Sequence, residues 1–321
     1  MSPIEPKRMT KMRVNLLFQQ FQRYLIYNQA FRIEADGTPA GGFFWDGRAA
    51  SLAEQAKGPF LNPKEMNQPD AAAVVRKLSV ATYAAEFQAL FGADIFTRPD
   101  DAFQRVALAL QAYQKEDSDF APFSSKYDAF LRGKTRLSDA ELRGLALFNS
   151  PTKGNCAACH PSAMGRDGTF PLFTDFSYDA LGVPRNQSAP STWGDLGLCA
   201  SAALDGLNLS TAAREALCGK FKVPSLRNVA VRQAYFHNGR FTDLREVITF
   251  YVQRDTNPAS WYLDGNATAD VKFNDLPAYA ANVNTTEAPY NRTLGGVPAL
   301  DASEIEDVLA FLRTLTDGWT P

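Results

Sequence analysis

The residues with the most chemistry in this chain are Cys156-Ala157-Ala158-Cys159-His160. A Cys-x-x-Cys-His peptide is the attachment site of a c-type haem: each thiol adds to a vinyl group, and the adjacent histidine becomes the proximal ligand to iron. The pattern occurs once. A zinc half-site completed by Cys199, Cys218 or His237 is the competing assignment. A histidine directly after the second cysteine serves a haem and is not required by zinc, which favours haem. The cofactor would then carry the chemistry, and the protein would set the sixth ligand, the electrostatics and the access to iron.

The methionines are Met1, Met9, Met12, Met66 and Met164, none of them beyond position 164. Met164 is too close to His160 to reach the other haem face, since residues three to four apart share one side of a turn. That leaves His237, a tyrosine or an open position. His237 lies in Tyr235-Phe236-His237-Asn238-Gly239, a turn-forming sequence just ahead of a helix. A structural hydrogen bond, for instance to a haem propionate, competes there with ligation. Tyr251 shares a helix face with Leu244, Val247 and Ile248 and points inward, either as a ligand or as a core tyrosine with a satisfied hydroxyl. Both candidates stay open at this point.

Four cysteines form two pairs. With Cys156 and Cys159 assigned to haem, Cys199 and Cys218 are expected to pair in an oxidising compartment. A closed loop of about 20 residues is worth roughly 3 kcal/mol when unstrained; two buried free thiols are the alternative.

The elements that must position these groups read as mainly helical. At 321 residues, with 45% apolar and 12% aromatic content, the chain is long enough for two compact domains. Ser51-Leu52-Ala53-Glu54, Ser138-Asp139-Ala140-Glu141 and Asp301-Ala302-Ser303-Glu304 read as capping boxes. Core stripes follow at helical spacing: Phe103, Val106, Leu110 and Tyr113, then Ile305, Val308, Leu309 and Leu312. Two-residue alternation is scarce, so strands should be few and short. Pro161 to Phe221 reads as long loops around a cofactor. A boundary is expected near Thr135, giving an amino-terminal domain over 1–135 and a carboxy-terminal haem domain over 136–321. A net charge of −2 argues against nucleic acid or an anionic membrane as partner, and no run of 18 apolar residues would span a bilayer. Met1 to Arg8 carries no apolar signal core. Since a c-type haem is fitted after export, the expected location is the periplasm, with the signal removed or the gene start misplaced.

Several segments resemble the bacterial di-haem cytochrome c peroxidases and the related MauG enzymes. They are Phe43-Phe44-Trp45-Asp46-Gly47-Arg48-Ala49, Gln55-Ala56-Lys57-Gly58-Pro59, Asn62-Pro63-Lys64-Glu65-Met66, the Cys-x-x-Cys-His peptide, Val223-Pro224-Ser225-Leu226-Arg227-Asn228-Val229, Tyr235-Phe236-His237-Asn238-Gly239 and Phe311-Leu312-Arg313-Thr314-Leu315-Thr316. Arg254-Asp255-Thr256-Asn257-Pro258, Trp261-Tyr262 and Phe273-Asn274-Asp275-Leu276-Pro277 are similar to the MauG-like, MbnH-type group, which oxidises tryptophan in a partner copper protein. The resemblance implies two cytochrome c-like helical domains, haem c, hydrogen peroxide as oxidant, and a redox partner: a small cytochrome, a cupredoxin or a copper-binding protein. It implies that Tyr251 rather than His237 binds iron, and phenolate ligation suits ferric and higher iron states. It also implies that Trp45 passes charge between two haems. Gln55, Pro59 and Glu65 would then line the distal side of the amino-terminal haem, with Glu65 as proton shuttle.

The pattern breaks in one place. The di-haem enzymes carry a first Cys-x-x-Cys-His upstream of the Phe-Trp-Asp-Gly-Arg segment, and no cysteine precedes Cys156. The expectation is therefore an amino-terminal domain truncated before its haem segment; a genuine single-haem protein is the alternative. Arg13 to Tyr27 lacks the asparagine-containing stretch that helps hold an inter-haem calcium in relatives, and two further calcium contacts would be the carbonyls of Arg232 and Ala234, so calcium stays open as a cofactor.

Protein matured in a periplasm is expected to gain the mass of one haem and to lose it when Cys156 and Cys159 are both changed to Ala. Intact-protein mass spectrometry decides, and a two-haem mass would contradict a single attachment pair.

Overall fold

The computed structural model describes residues 23–262, 272–276 and 279–321. Outside them lie residues 1–22, with Met1, Met9, Met12 and most of the stretch compared with the calcium region, and Pro277 of the Phe273–Pro277 segment. Helix accounts for 41% of the chain and strand for little. The described helices are Leu52–Leu61, Ala71–Ser79, Ala84–Phe91, Pro99–Glu116, Lys126–Leu131, Asp139–Asn149, Thr211–Glu215, Leu244–Gln253 and Ala302–Arg313, joined by loops and short 3-10 turns. Two antiparallel ladders occur among the described residues, Arg32–Ile33 with Pro39–Ala40 and Tyr178–Asp179 with Phe221–Lys222. No helix among the described residues is long and apolar enough to cross a membrane.

Local chemistry starts the helices where the sequence suggests. Ser138 with Glu141, and Asp301 with Glu304, form reciprocal capping boxes. Ser51 forms only half of one: its hydroxyl accepts from the Glu54 N–H at 3.1 Å, while the Glu54 carboxylate is taken by Lys57 Nζ at 2.9 Å.

Two large hydrophobic cores result, with three smaller clusters beside them among the described residues. The smaller of the two cores gathers Val74, Val75, Leu78, Phe87, Ile95, Ala102 and Phe103. Here the expected stripe on Pro99–Glu116 is rotated: Ala102, Phe103 and Ala107 are buried, whereas Tyr113 is half exposed, with its ring edge-on to Phe120 at 5.4 Å. Small alanines let this helix approach its neighbours, and they make the contact that larger residues seemed to promise.

The larger core is built on the Asp139–Asn149 and Ala302–Arg313 helices, with Phe148, Ile305, Val308, Leu309, Phe311 and Leu312 inside. Gly144 lets the two helices touch, because a Cβ there would run into the Asp307 carbonyl. Arg143 forks onto the Asp307 carboxylate at 2.7 and 2.8 Å across the same pair. Tyr127 of Lys126–Leu131 also packs into this core, so that helix, ahead of the boundary expected near Thr135, belongs with the larger unit.

A buried ion pair ties the chain together. Arg227 donates from Nη1 and Nη2 to Asp128 at 2.9 and 2.8 Å and from Nε to the Pro171 carbonyl at 2.8 Å. Tyr24 and Phe123 lie under the guanidinium at 4.7 and 4.5 Å. Burial pushes the Asp128 carboxyl up, but bonds from Arg227 and Ser125 outweigh it and hold the group below its ordinary range. A depressed carboxyl stabilises the fold above the unfolded value and loses that contribution as pH falls through the folded one.

Asp128→Ala should therefore strand a buried guanidinium and cost about 3–5 kcal/mol. Denaturant unfolding at neutral pH should show the loss, and the gap from the native protein should narrow only in acid.

Candidate functional site

The attachment peptide follows directly from the Asp139–Asn149 helix. Gly154 sits where a Cβ would meet the Leu147 carbonyl oxygen at 2.9 Å and the Cys156 sulfur at 3.1 Å. Asn155 turns the chain through a left-handed conformation, φ 49°, and its side chain donates to the Ala288 carbonyl at 2.9 Å. Cys156–Ala158 then forms one 3-10 turn, and the His160 N–H closes on the Cys156 carbonyl at 2.8 Å. Both thiols are free. Burial pushes each up to about 12, so they are neutral.

His160 is aimed by its backbone contact. Nδ1 lies 2.7 Å from the Phe173 carbonyl oxygen, which makes Nδ1 the donor and leaves the Nε2 lone pair available. Burial lowers the imidazole pKa, opposed by that carbonyl, and a neutral ring is what ligation requires.

These groups line one mostly apolar cavity that opens to solvent. The Leu244–Gln253 helix, capped by Asp243 accepting from the Arg245 N–H at 2.6 Å, contributes Leu244, Val247, Ile248 and Tyr251 to the lining. The Tyr251 ring packs between Phe236 at 5.7 Å and Tyr290 at 6.0 Å. Its hydroxyl has no hydrogen-bond partner among the described residues, and burial holds it protonated far above the usual phenol range. His237 also lines the cavity, stacked on Phe221 with centroids 3.5 Å apart, and burial drops its pKa to about 3. Trp45 and Lys222 line it too.

A haem fits these residues: two neutral thiols beside an oriented histidine, in a mostly apolar chamber. Zinc does not. Cys199 and Cys218, which would have completed that site, are joined in a disulfide of 2.06 Å, and no group of three or more metal-binding side chains occurs among the described residues.

The remaining sequence candidates are elsewhere. Gln55 and Pro59 are buried on the Leu52–Leu61 helix, with Gln55 Oε1 lacking a hydrogen-bond partner. Glu65 is exposed in the turn that follows, its N–H bonded to the Asn62 carbonyl at 3.0 Å. None of the three lines the cavity. Arg232 and Ala234 do, and the Arg232 carbonyl already accepts the Tyr235 hydroxyl at 3.1 Å. Sequence reasoning missed Phe173, Lys222 and Tyr290. None of them carried a signal that set it apart: Lys222, one residue ahead of the Val223–Val229 segment, follows another lysine, Lys220, by two positions.

A Cys-x-x-Cys-His turn over an apolar, tryptophan-edged cavity on a mostly helical frame defines a c-type haem protein. Comparison with known proteins narrows this. A family model described as di-haem cytochrome c peroxidase matches residues 6–136. Methylamine utilization protein MauG of Paracoccus denitrificans is 38% identical over 298 residues, covering 90% of this chain and 71% of that protein. Cytochrome c551 peroxidase of Nitrosomonas europaea is 32% identical over 208 residues, 64% of this chain and 52% of that one. The crystal structure of the dihaem peroxidase BthA from Burkholderia thailandensis superposes with a TM-score of 0.82 at 40% identity, over 92% of this chain and 71% of that one. A MauG-like protein associated with microbial copper homeostasis shares the fold at 24% identity and a TM-score of 0.54, over 90% of this chain and 76% of that one. The chain belongs to the di-haem cytochrome c peroxidase and MauG family, a family of haem c oxidoreductases of peroxidase type.

If Tyr251 binds iron, Tyr251→Phe should turn a low-spin ferric spectrum high-spin, while His237→Gln should not. The reverse pattern would make His237 the ligand.

Proposed function

We propose that this chain is the carboxy-terminal haem unit, with part of the amino-terminal one, of a periplasmic peroxidase that oxidises a partner protein at the expense of hydrogen peroxide. The observation that carries this is Tyr251: a phenol oxygen with no protein partner among the described residues, in the same chamber as Cys156, Cys159 and His160. A core tyrosine would have spent its hydroxyl on a carbonyl, as Tyr178 does on Gly41 and Tyr262 on Gly182.

When bound, haem c supplies an iron centre that stores and releases oxidising equivalents. Cys156 and Cys159 would anchor it, and His160, its ring held by the Phe173 carbonyl, would offer Nε2 to the iron. Tyr251 would be the second protein group to hold the iron, giving up a phenol proton that burial alone keeps in place. Trp45 carries charge out of the chamber. Gln55, Pro59 and Glu65 would serve a second haem, which would supply the centre for peroxide chemistry. Glu65, exposed on its turn, would be the group that moves a proton between the two peroxide oxygens. Electrons come from a small cytochrome, a cupredoxin or a copper-binding protein whose tryptophan is the site of oxidation. A calcium ion at the Arg232 and Ala234 carbonyls would share the former with Tyr235.

A second reading, a non-catalytic electron-transfer cytochrome, draws on the same geometry, because His160 and Tyr251 together would hold the iron of a haem attached at Cys156 and Cys159. Peroxide turnover separates the two. The 321-residue chain alone should consume peroxide near the free-haem background, and fusion to an upstream segment bearing a further Cys-x-x-Cys-His should raise it strongly. In that fusion, Glu65→Gln should slow peroxide cleavage by about 10²–10⁴-fold. Fast turnover by the chain alone would place the chemistry at the Cys156-attached haem and sink the proposal.

A further inference from the structure

Lys222 has no part in the chemistry derived so far, yet it is the one buried lysine among the described residues, 8% exposed. The Phe221–Lys222 ladder, with Lys222 opposite Tyr178, carries it to the cavity wall. From there it grips the tryptophan segment at both ends. Its backbone N–H donates to the Trp45 carbonyl at 2.8 Å, and its Nζ donates to the Gly42 carbonyl at 2.5 Å, beside the Phe43 ring at 5.8 Å. Gly42 is itself pinned by Asn28 Nδ2 at 2.6 Å.

That arrangement leaves the ammonium under-used. It has three N–H donors, and one carbonyl accounts for one of them. No carboxylate lies within ion-pairing distance among the described residues. Asp46, on the adjoining loop, is bonded to Arg48 Nη1 at 2.8 Å, and Asp179, on the paired strand, accepts from Asn284 Nδ2 at 3.1 Å. Burial lowers the Lys222 pKa to about 7, opposed only in part by the charge of Asp46. A buried, half-satisfied cation on a chamber wall calls for an anion inside the chamber. A haem brings two carboxylates, on the edge away from its vinyl groups.

We propose that Lys222 binds a haem carboxylate and, through the same ammonium group, holds the Gly42–Trp45 segment against that edge of the cofactor. This rests on the cavity being a haem site. Lys222 is then a positioning residue for Trp45, and its charge is coupled to the iron's reduction.

The test uses the holoprotein, with attachment verified first by intact mass. Absence of haem on Cys156 and Cys159 would remove the haem reading itself, a separate failure. Midpoint potentials are then measured from pH 6.5 to 10 for the native protein, Lys222→Arg and Lys222→Met. Loss of a cation beside the cofactor disfavours the reduced state, so Lys222→Met should shift the potential down and Lys222→Arg should restore it. The native potential should also fall with rising pH as the amine loses its proton, a fall missing from Lys222→Arg, whose charge persists. Asp46 is the charge that bears on Lys222, and Asp179, Glu287, His237 and Arg232 share the cavity; all are present in both proteins, so the difference isolates Lys222. If Lys222→Met fails to fold, the comparison of native protein with Lys222→Arg stands alone. Coincident pH profiles in those two, or a Lys222→Met potential equal to the native one, would overturn the proposal.

Discussion

The arrangement around the haem peptide depends on the Arg227–Asp128 pair. Two buried charges cost several kcal/mol each in desolvation, and bidentate geometry with further hydrogen bonds is needed to offset it. The offsets come from distant parts of the chain: Ser125 bonds Asp128, Pro171 accepts from Arg227, and Tyr24 and Phe123 cover the guanidinium. The consequence reaches His160. Pro171 is two residues from Phe173, whose carbonyl orients His160, and the Ser225 hydroxyl fixes the Leu172 carbonyl between them at 2.6 Å. The rotation of one imidazole is thus set by an ion pair that never touches it.

The same loop anchors the carboxy-terminus. The Asn228 N–H bonds the Leu315 carbonyl at 3.0 Å, and its side chain exchanges bonds with Asp317 at 2.7 and 2.9 Å. Asp317 also accepts the Tyr24 hydroxyl at 2.8 Å. Residues near 24, 125, 228 and 317 therefore form one hydrogen-bonded joint, through which the amino-terminal part of the described chain is held to the larger core.

Much of this was legible in the sequence where the chemistry constrains spacing or period. Covalent attachment demands Cys156, Cys159 and His160 in that order, and a 3.6-residue period shows plainly in Ile305, Val308, Leu309 and Leu312, all buried. The Pro99–Glu116 helix was harder, because its contact runs through Ala102 and Ala107, whose small side chains leave little hydrophobic signal. Resemblance put Gln55, Pro59 and Glu65 at a second, amino-terminal haem and Trp45 between the two; of these four, Trp45 lines the Cys156 chamber. Lys222 was illegible for a different reason: a lysine's burial is decided by which carbonyls meet it in three dimensions, and Gly42 is 180 residues away.

The two attachment thiols bear on how the protein is made. With pKa values near 12, about one thiol in 10⁵ is ionised at pH 7. Thiolates, not thiols, form and exchange disulfides. A chain that closed before receiving its cofactor would thus keep Cys156 and Cys159 from joining each other or trespassing on the Cys199–Cys218 bridge. The same protonation would make them sluggish toward any partner that engages thiolates. Burial that holds both thiols protonated thus favours attachment to a chain that is still open, before the fold withdraws the sulfurs.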